Sequence, residues 1–372
     1  MASKFHLFTK GFFIFVNTTV VIVFLLSCLA PFLNPQKWWL ISFLGLAFPF
    51  LLIIVIFFFT GWLIMRKPRL ALISGLALLL SYKSISVFFA FHSPGGFNYK
   101  KEPGTIRVVT WNVARFIELK RNTNKGSETR LKMMELLGQQ DADIVCLEEF
   151  HTSIDSAYYN NIKAVQQLGY RWYYFNFDTD GDNHFYSSII FSRYPIVDSG
   201  MIRYPRPTLP DALIHADIKV NNDTIRIYST HLQSLQFGKK DYDRIGKIKS
   251  VEDSMVSNSR NILSKIKKGI TYRSLQADVI AEVVGDSPHP VIFCADLNDV
   301  PNSYTYFTVR GNMQDAFLKK GFGIGRTYTG LSPTLRIDYI FTDKHFAIKQ
   351  FNRVVKRYSD HYMLVADVQL KK

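Results

Sequence analysis

Acidic, amide and histidine side chains follow short apolar stretches at several distant places in the second part of the chain. Apolar stretches of this length, rich in branched and aromatic residues, are typical of buried β-strands. The polar residues that end them are Asn112, Glu148, Glu149, His231, Asp296, Asn298, Asp360 and His361. If these strands share one sheet edge, their polar side chains converge on one rim.

Such a rim has a definite chemistry. Carboxylate and amide oxygens gathered together suit a hard divalent cation such as Mg²⁺. Without a cation, close carboxylates repel one another and some of them take up protons. A cation also supplies what hydrolysis of a phosphate ester needs, because it neutralises phosphate charge and activates a water molecule. Asp296 and Asn298 are two residues apart, so an extended backbone directs both to one face.

The elements that would position these residues begin at Thr105. From there to the end, short β-rich stretches alternate with helical patterns, which suits one layered α/β domain over residues 105–372. Pro94, Gly95 and Gly96 interrupt any helix before it. We therefore predict an anchor over residues 1–97, a linker over 98–104 and a catalytic domain over 105–372.

The first hundred residues are apolar and contain eight basic residues but no acidic one. A membrane-spanning helix needs about 20 apolar residues, and three runs meet that length. The second run has tryptophan near both ends, as expected at the two membrane interfaces. In the third run Lys83 interrupts the apolar pattern, so a shorter buried or interfacial helix is the alternative there. The predicted spans are residues 11–33, 38–65 and 70–91.

Basic residues in the loops predict the orientation of these spans. Lys4 and Lys10 precede the first run, and Arg66, Lys67 and Arg69 separate the second from the third. The positive-inside rule places both groups in the cytoplasm. Three crossings then put the catalytic domain outside, in an integral membrane protein. The first run also fits a signal peptide, with Cys28 as a lipoprotein cleavage site, and the topology after it would be unchanged.

Composition excludes several classes of protein. A wholly soluble protein is excluded by the apolar runs, and disorder by aromatic and branched residues throughout. The chain's 3 cysteines exclude a disulfide-dense scaffold. Residues 238–273 carry ten basic and four acidic side chains, which would meet anionic lipid head groups or nucleic acid, or form a solvated helical face. No protein partner is indicated.

Separated blocks of residues follow one another in the second part of the chain. They are Thr110-Trp111-Asn112-Val113, Cys146-Leu147-Glu148-Glu149, Phe191-Ser192-Arg193-Tyr194-Pro195-Ile196, Ser229-Thr230-His231-Leu232, Ala295-Asp296-Leu297-Asn298, Arg336-Ile337-Asp338-Tyr339-Ile340 and Ser359-Asp360-His361. In this order they resemble the endonuclease/exonuclease/phosphatase superfamily, and specifically its deoxyribonuclease and sphingomyelinase branches. The resemblance covers residues 105–370 and implies a four-layer α/β sandwich with two central mixed β-sheets. The apolar runs place an all-α transmembrane region of about three helices before it.

The resemblance also implies roles for a metal centre, with Mg²⁺ as the cofactor and Mn²⁺ as the alternative. Glu149 is then the main metal ligand, Asn112 an amide beside it, and Asp360 a direct or indirect metal contact. Glu148 stands where the family often has glutamine. The implied catalytic set is His231 on the phosphate, Asp296 and Asn298 positioning water and phosphate, and Asp338 orienting His361.

The resemblance leaves two points open: the role of Arg193 and the identity of the carboxylate that pairs with His231. Arg193 is a candidate substrate-binding residue, with a structural role as the alternative. A carboxylate that would pair with His231 is not evident, and Asp178 and Asp180 are the candidates.

The resulting hypothesis is a membrane-anchored, metal-dependent phosphoesterase that hydrolyses a phosphodiester or phosphomonoester by in-line attack of water. Its partners are the lipid bilayer and a phosphoester substrate. Three alternatives stay open: an extracytoplasmic nuclease on DNA or RNA, a lipid head-group phosphodiesterase, and an inactive binding module. The full set of carboxylates and both histidines argues against the inactive module, since mere binding does not need them.

Overall fold

The computed structural model describes residues 2–92, 96–116, 128–155, 159–180, 183–208, 211–238, 240–243, 245 and 255–371, with the side chains of this part except those of residues 2–7 and 255–258. Residues 239, 244 and 246–254 of the basic stretch lie outside the described part. Packing divides the chain into two compact units. Unit 1 comprises Met1–Phe88, Leu235–Ser274 and Val300–Phe307, and unit 2 comprises Phe89–Ser234, Leu275–Asp299 and Thr308–Lys372.

The N-terminal part of unit 1 is helical. Its elements are α1 (Ala2–Ser27), α2 (Pro35–Ile64), α3 (Pro68–Leu80) and α4 (Tyr82–Phe88). Within the described residues, Phe8–Ser27 and Pro35–Ile64 are each long and apolar enough to cross a membrane. The start of α2 is well defined, because the Asn34 side chain accepts a hydrogen bond of 2.9 Å from the main-chain nitrogen of Gln36 and Pro35 occupies the first turn.

The third apolar run is bent rather than straight. It ends its first helix at Leu80, and α4 continues at an angle of 64° to α3. Lys83 lies in α4, where its ammonium group is 5.3 Å from the centroid of the Phe32 ring. A cation over an aromatic face is attracted by the ring. The described part of the chain therefore has two helices of spanning length, or three if the bent pair makes one crossing.

Polar and aromatic contacts join the helices of unit 1. The Phe24 ring of α1 stacks on the Phe48 ring of α2, with centroids 5.6 Å apart. The Ser74 hydroxyl of α3 donates a hydrogen bond of 2.8 Å to the amide oxygen of Asn17 in α1. Between apolar helices such a bond contributes roughly 0.6–2 kcal/mol. It ties α3 to α1 in addition to the apolar packing.

Gly45 of α2 permits a close approach inside unit 1. A Cβ atom at this position would lie 2.8 Å from the Cβ of Ala30 and 2.9 Å from the main-chain oxygen of Asn302. Asn302 also donates a hydrogen bond of 3.0 Å to the main-chain oxygen of Ser27, at the end of α1. The segment Val300–Phe307 therefore packs directly on the apolar helices.

Unit 2 is built on two six-stranded sheets and a small two-stranded one. Sheet I has the strand order β13-β14-β2-β3-β5-β4, and sheet II has the order β10-β12-β9-β8-β7-β6. The strands are β1 (Ala90–Phe91), β2 (Ile106–Asn112), β3 (Ile144–Ser153), β4 (Trp172–Phe175), β5 (His184–Ser192), β6 (Ile196–Arg203), β7 (Ala212–Val220), β8 (Asp223–His231), β9 (Val291–Asp296), β10 (Gln314–Asp315), β11 (Phe322–Gly323), β12 (Asp338–Thr342), β13 (Phe346–Val354) and β14 (Met363–Leu370).

The two large sheets have the same central arrangement. Each contains one parallel pair, β2–β3 in sheet I and β8–β9 in sheet II. Antiparallel neighbours flank both pairs, so both sheets are mixed, as predicted. The remaining helices are α5 (Glu128–Gln139), α6 (Asn161–Gln166), α7 (Met255–Gly285), α8 (Tyr304–Arg310) and α9 (Ala316–Lys320), with a 3₁₀ turn at Ala114–Phe116.

Alternation along the strands separates two apolar cores. Val108 of β2 faces the core between the sheets, together with Ile227 of β8 and Ile292 of β9. Its neighbour Val109 faces the outer side, where Met133 of α5 packs. Burying side chains of this size contributes about 1.5–3 kcal/mol each. Sheet II is covered in turn by the second half of α7, which completes the predicted four-layer α/β sandwich.

The predicted linker, residues 98–104, belongs to unit 2 and is bound to sheet I. The buried Arg107 side chain donates hydrogen bonds of 2.9 Å to the main-chain oxygens of Asn98 and Tyr99. It also pairs with Asp367 at 2.7 Å. The chain before β2 is thereby fixed to sheet I.

Two glycine substitutions test the packing of unit 1. We expect Gly45→Ala to lower the melting temperature of the full chain in detergent, because the added Cβ meets backbone that must shift. Gly61→Ala, also in α2, meets nothing within 4 Å and is the matched control. It should leave the melting temperature unchanged or raise it, since alanine favours a helix over glycine by about 1 kcal/mol. Equal melting temperatures for the two variants would contradict the close approach.

Candidate active site

The parallel strand pairs end at polar residues that the sequence analysis selected. Asn112 ends β2 opposite Glu148 of β3, and His231 ends β8 opposite Asp296 of β9. Asp338, the first residue of β12, also pairs with Asp296. Because neighbouring parallel strands have their carboxyl ends at the same sheet edge, each sheet brings its own polar side chains to one rim.

The Asn112 amide joins the two sheets at this rim. Its nitrogen donates to Asp296 Oδ2 at 2.9 Å, from sheet II, and to Glu149 Oε1 at 3.3 Å, from sheet I. Its oxygen accepts a hydrogen bond of 3.0 Å from the main-chain nitrogen of Ala114. Since that oxygen needs a donor, this bond fixes which end of the amide faces the carboxylates. Asn112 thus holds Glu149 and Asp296 close together.

A β-bulge directs Glu149 towards the rim. The register of β3 against β5 shifts between Leu147 and Phe150, and Glu149 has a φ angle of +49°. A non-glycine residue in this left-handed region costs on the order of 1–3 kcal/mol, and bulges of this kind re-aim side chains beside active sites. Glu148 is fully buried, whereas the Glu149 side chain is 28% exposed.

Asp296, Asp338 and His361 form the buried part of the cluster. The His361 Nδ1 atom is 3.0 Å from both carboxylate oxygens of Asp338 and 3.7 Å from Asp296 Oδ2. The Tyr328 ring packs on the imidazole, with centroids 5.0 Å apart. One ligand atom from each of Asp296, Asp338 and His361 lies within 4.8 Å of the others, so this group can hold a metal ion.

His231 completes the cluster from the β8 side. Its Nε2 atom is 3.5 Å from Glu149 Oε1, 3.8 Å from Asp296 Oδ2 and 3.0 Å from the amide nitrogen of Asn298. Asn298 is held in turn by Asp296, whose Oδ1 accepts a hydrogen bond of 2.8 Å from its main-chain nitrogen. On the other side, His231 Nδ1 lies 3.7 Å from Asp211 Oδ2.

The electrostatics of the cluster follow from burial and from charges at short range. Burial, and then the charge of Asp338, raise the pKa of Asp296. Burial alone would lower the pKa of both imidazoles. Asp338 and Asp296 outweigh it at His361, whose pKa is well above its ordinary value. At His231, Asp211 and then Glu149 outweigh burial and raise the pKa. These shifts favour the protonated imidazoles, whose charge offsets part of the carboxylate repulsion.

The donor set fits a divalent cation. Carboxylate oxygens placed this close together are suitable ligands for Mg²⁺ or Mn²⁺. A cation beside Asp296 would favour its charged form and so act against the burial and the Asp338 charge that raise its pKa. The chemistry of the described residues is therefore compatible with the predicted metal centre.

Glu148 plays a different part from Glu149. Its side chain is fully buried between the sheets, where Thr110 donates a hydrogen bond of 2.8 Å to its Oε1. Burial raises the pKa of Glu148 to about 8, so this carboxyl is mainly protonated at neutral pH. A neutral carboxyl resembles an amide in charge and shape. This explains how a glutamate stands where the family often has glutamine.

Three predicted residues lie apart from the cluster, and a fourth lies at its border. The Arg193 guanidinium pairs with Asp141 and lies 5.3 Å from the Tyr170 ring centroid, so its placement does not support the substrate-binding role. Asp178 pairs with Arg203, and Asp180 with Arg115, so neither is the partner of His231. The Asp360 carboxylate is 3.3 Å from the Ser359 hydroxyl, which bonds the main-chain oxygen of Asn112 at 2.7 Å.

Asp211 is a close neighbour of His231 that sequence reasoning missed. It directly precedes β7 and so does not follow the carboxyl end of a strand. No residue spacing connects it with His231, which is 20 positions away at the end of β8. A search for any acid next to the β7–β8 hairpin would have included it.

Comparison with family models identifies the class of this protein. Residues 109–361 match the model described as the endonuclease/exonuclease/phosphatase family. Because this match spans more than half of the chain, the protein belongs to that family. Residues 10–88 match a second model, described as a domain of unknown function. None of the curated proteins matches the chain in sequence.

Solved structures share the fold of the described domain. An endonuclease/exonuclease/phosphatase from Beutenbergia cavernae is 19% identical, with a TM-score of 0.53 over 72% of this chain and 72% of that one. The catalytic domain of human nocturnin, solved with a bound sulfate anion, is also 19% identical, with a TM-score of 0.50 over 72% of this chain and 95% of that one. The fold is thus that of the endonuclease/exonuclease/phosphatase family.

The pairing of His231 with Asp211 can be measured directly. We expect Asp211→Asn to lower the pKa of His231, because the largest charge that raises it is removed. Asp180→Asn should leave that pKa unchanged, since Asp180 pairs with Arg115 instead. The measurement is a pH titration of the histidine ring signals by NMR, on the full chain with EDTA.

The same titration bears on stability. A histidine whose pKa is raised on folding stabilises the fold below its unfolded pKa of about 6.5, and this contribution is lost as pH rises through the folded value. Asp211→Asn should therefore cost more stability below that pH than above the folded pKa. A His231 pKa that moves in Asp180→Asn and not in Asp211→Asn would overturn the pairing.

Proposed function

We propose that this protein is a membrane-anchored phosphoesterase that uses Mg²⁺, or Mn²⁺ in its place, to hydrolyse a phosphoester by in-line attack of water. The observation that carries the proposal is the convergence of three carboxylates and two imidazoles from both sheets. Family membership supports the reaction class.

The metal would be held by Glu149, with the Asn112 amide orienting that carboxylate, and by the neighbouring Asp296 carboxylate, which the same amide contacts. Asp360, at the border of the cluster, is proposed as a further direct or indirect contact. When bound, a divalent cation neutralises phosphate charge and makes a coordinated water molecule a better nucleophile. This chemistry requires oxygen ligands close together, which is what the rim provides.

The chain's own residues would position and protonate the reactants. Asp296, held by Asn112 and by the main chain of Asn298, presents a carboxylate oxygen that can accept a hydrogen bond from the attacking water. Asn298 and His231 would donate to phosphate oxygens. His361, kept protonated by Asp338, would stabilise charge that develops on the phosphoryl group.

The anchor would be formed by α1 and α2, with the bent pair α3–α4 as the third crossing. Under the positive-inside rule, the loop that contains Arg66, Lys67 and Arg69 lies in the cytoplasm. The catalytic domain, proposed over residues 105–372, is then extracytoplasmic. A site held near a bilayer favours a phospholipid head group as substrate over free nucleic acid, and the nuclease remains the second candidate.

Substitutions in the cluster test the catalytic assignment. Asp296→Ala and His361→Ala should each lower turnover by about 10²–10⁴-fold, because they remove groups that contact the reacting atoms. The matched controls are Asp223→Ala, in an exposed hairpin, and His345→Ala, whose side chain is 70% exposed. Activity of all variants is measured with the full chain in lipid nanodiscs and Mg²⁺. Wild-type turnover in Asp296→Ala would refute the assignment.

Metal removal and a substrate panel test the reaction and its substrate. EDTA should abolish hydrolysis and Mg²⁺ should restore it. The panel contains sphingomyelin, a glycerophospholipid, single-stranded DNA, RNA and a phosphomonoester. We expect release of a phosphorylated head group from lipid in the same nanodisc. Hydrolysis of DNA or RNA alone, with steep salt dependence, would identify the nuclease instead.

A further inference from the structure

The first half of α7 presents an exposed basic face. Arg260, Lys267 and Lys268 are exposed, whereas Gly269 and Ile270 on the other side are buried. Arg260 and Lys267 are seven positions apart, or about two helical turns, so they share a face. No acidic residue occurs between positions 254 and 277. This face therefore carries positive charge without a local acidic partner on its own helix.

Contacts inside unit 1 locate this face at one end of the apolar helices. The Lys267 ammonium group lies 4.8 Å from the ring centroid of Trp39, in the first turns of α2. The neighbouring Trp38 is 55% exposed. Tryptophan is enriched at the level where a bilayer meets water. If α2 spans the membrane, Lys267 lies at the head-group level.

Other basic side chains lie at the same end of the bundle. Lys37 is exposed in the first turn of α2. The exposed Lys83 of α4 has its ammonium group over Phe32, in the turn between α1 and α2. Phe32 also contacts Phe307, with ring centroids 6.3 Å apart, so the segment Val300–Phe307 packs at this end too. Four lysines from three parts of the chain therefore surround one end of the helices.

We propose that Arg260, Lys267 and Lys268, with Lys37 and Lys83, form a surface that binds the phosphate groups of anionic phospholipids in the bilayer that holds the anchor. This inference rests on the proposed insertion of α1 and α2. Lysine suits the role, because its aliphatic stem can lie along apolar surface while the ammonium group reaches the head groups. Basic side chains beside a membrane helix are attracted to anionic lipid surfaces.

Position decides between lipid and nucleic acid as the ligand. A nucleic acid would also attract this charge. It would have to reach lysines that contact Trp39 and Phe32, next to the apolar surface of the helices. A bilayer is present at that level whenever the helices are inserted, so the lipid head groups are the nearer anions.

Lysine footprinting tests the surface in the intact protein. The full chain is placed in nanodiscs of phosphatidylcholine alone or with about 30% phosphatidylglycerol, treated with an amine-acetylating reagent, and analysed by mass spectrometry. We expect acetylation of Lys267 and Lys268 to slow by about threefold or more in the anionic discs, since each basic group near an anionic surface is attracted to it. Exposed Lys349 on β13 is the internal reference and should be unaffected.

A charge-neutral variant separates this surface from the other lysines. The measured quantity is the ratio of the protein's association with spin-labelled phosphatidylglycerol to its association with spin-labelled phosphatidylcholine. In Lys267→Gln/Lys268→Gln this ratio should fall by at least about twofold from the wild-type value. The matched control is Lys319→Gln/Lys320→Gln, two adjacent exposed lysines at the end of α9. It should keep the wild-type ratio.

Failure of the lipid-binding inference can be distinguished from failure of the proposed enzymatic function. Equal acetylation in both kinds of disc, or an unchanged lipid ratio in Lys267→Gln/Lys268→Gln, would overturn the inference. So would protection of Lys267 by a DNA oligonucleotide with none by anionic lipid, which would identify a nucleic-acid surface. Anionic-lipid protection in a protein that hydrolyses no phosphoester would uphold the surface while refuting the enzyme. Extraction of the chain from membranes by alkaline carbonate would refute the anchor itself.

Discussion

The arrangement of unit 2 depends on one electrostatic constraint, the gathering of carboxylates at a shielded rim. Two unit charges 4 Å apart interact by about 4 kcal/mol at an effective dielectric constant of 20. Asp296 and Asp338 face each other in register, and Glu149 is linked to Asp296 through Asn112. The Asn112 amide and the two imidazoles offset part of this repulsion. A bound cation would offset more of it and would use the same charges for chemistry.

The sandwich meets this constraint by confining polar groups to strand ends. Between the sheets the core is apolar, formed by residues such as Val108, Ile227 and Ile292. Each sheet has a parallel pair at its centre, and residues of the polar cluster lie at the carboxyl ends of both pairs. Charged groups therefore stay out of the core, where their desolvation would be costly. The Glu148 carboxyl is buried between the sheets, and it avoids this cost by being mainly protonated.

The apolar helices are partnered by later parts of the chain. The segment Val300–Phe307 belongs to the same unit as the helices, and within it Asn302 donates a hydrogen bond to the end of α1 and lies against Gly45. Residues 255–274 belong to that unit as well. Removing the helices would thus expose surfaces of these later segments that are covered in the full chain. For this reason the full chain is the proper material for measuring activity.

Local patterns in the sequence were sufficient to predict the apolar helices, the alternation of strands and helices, and the polar residues at the strand ends. These features depend on hydrophobicity and periodicity over a few residues, which can be recognised without knowing which distant segments pack together. The sequence could not show the bend after Leu80, the bulge that turns Glu149 outward, or the pairing of Asp211 with His231. Arg193 stands in a family block, yet its side chain pairs with Asp141. Side-chain direction and long-range partners depend on how distant strands meet, so only the tertiary structure decided them.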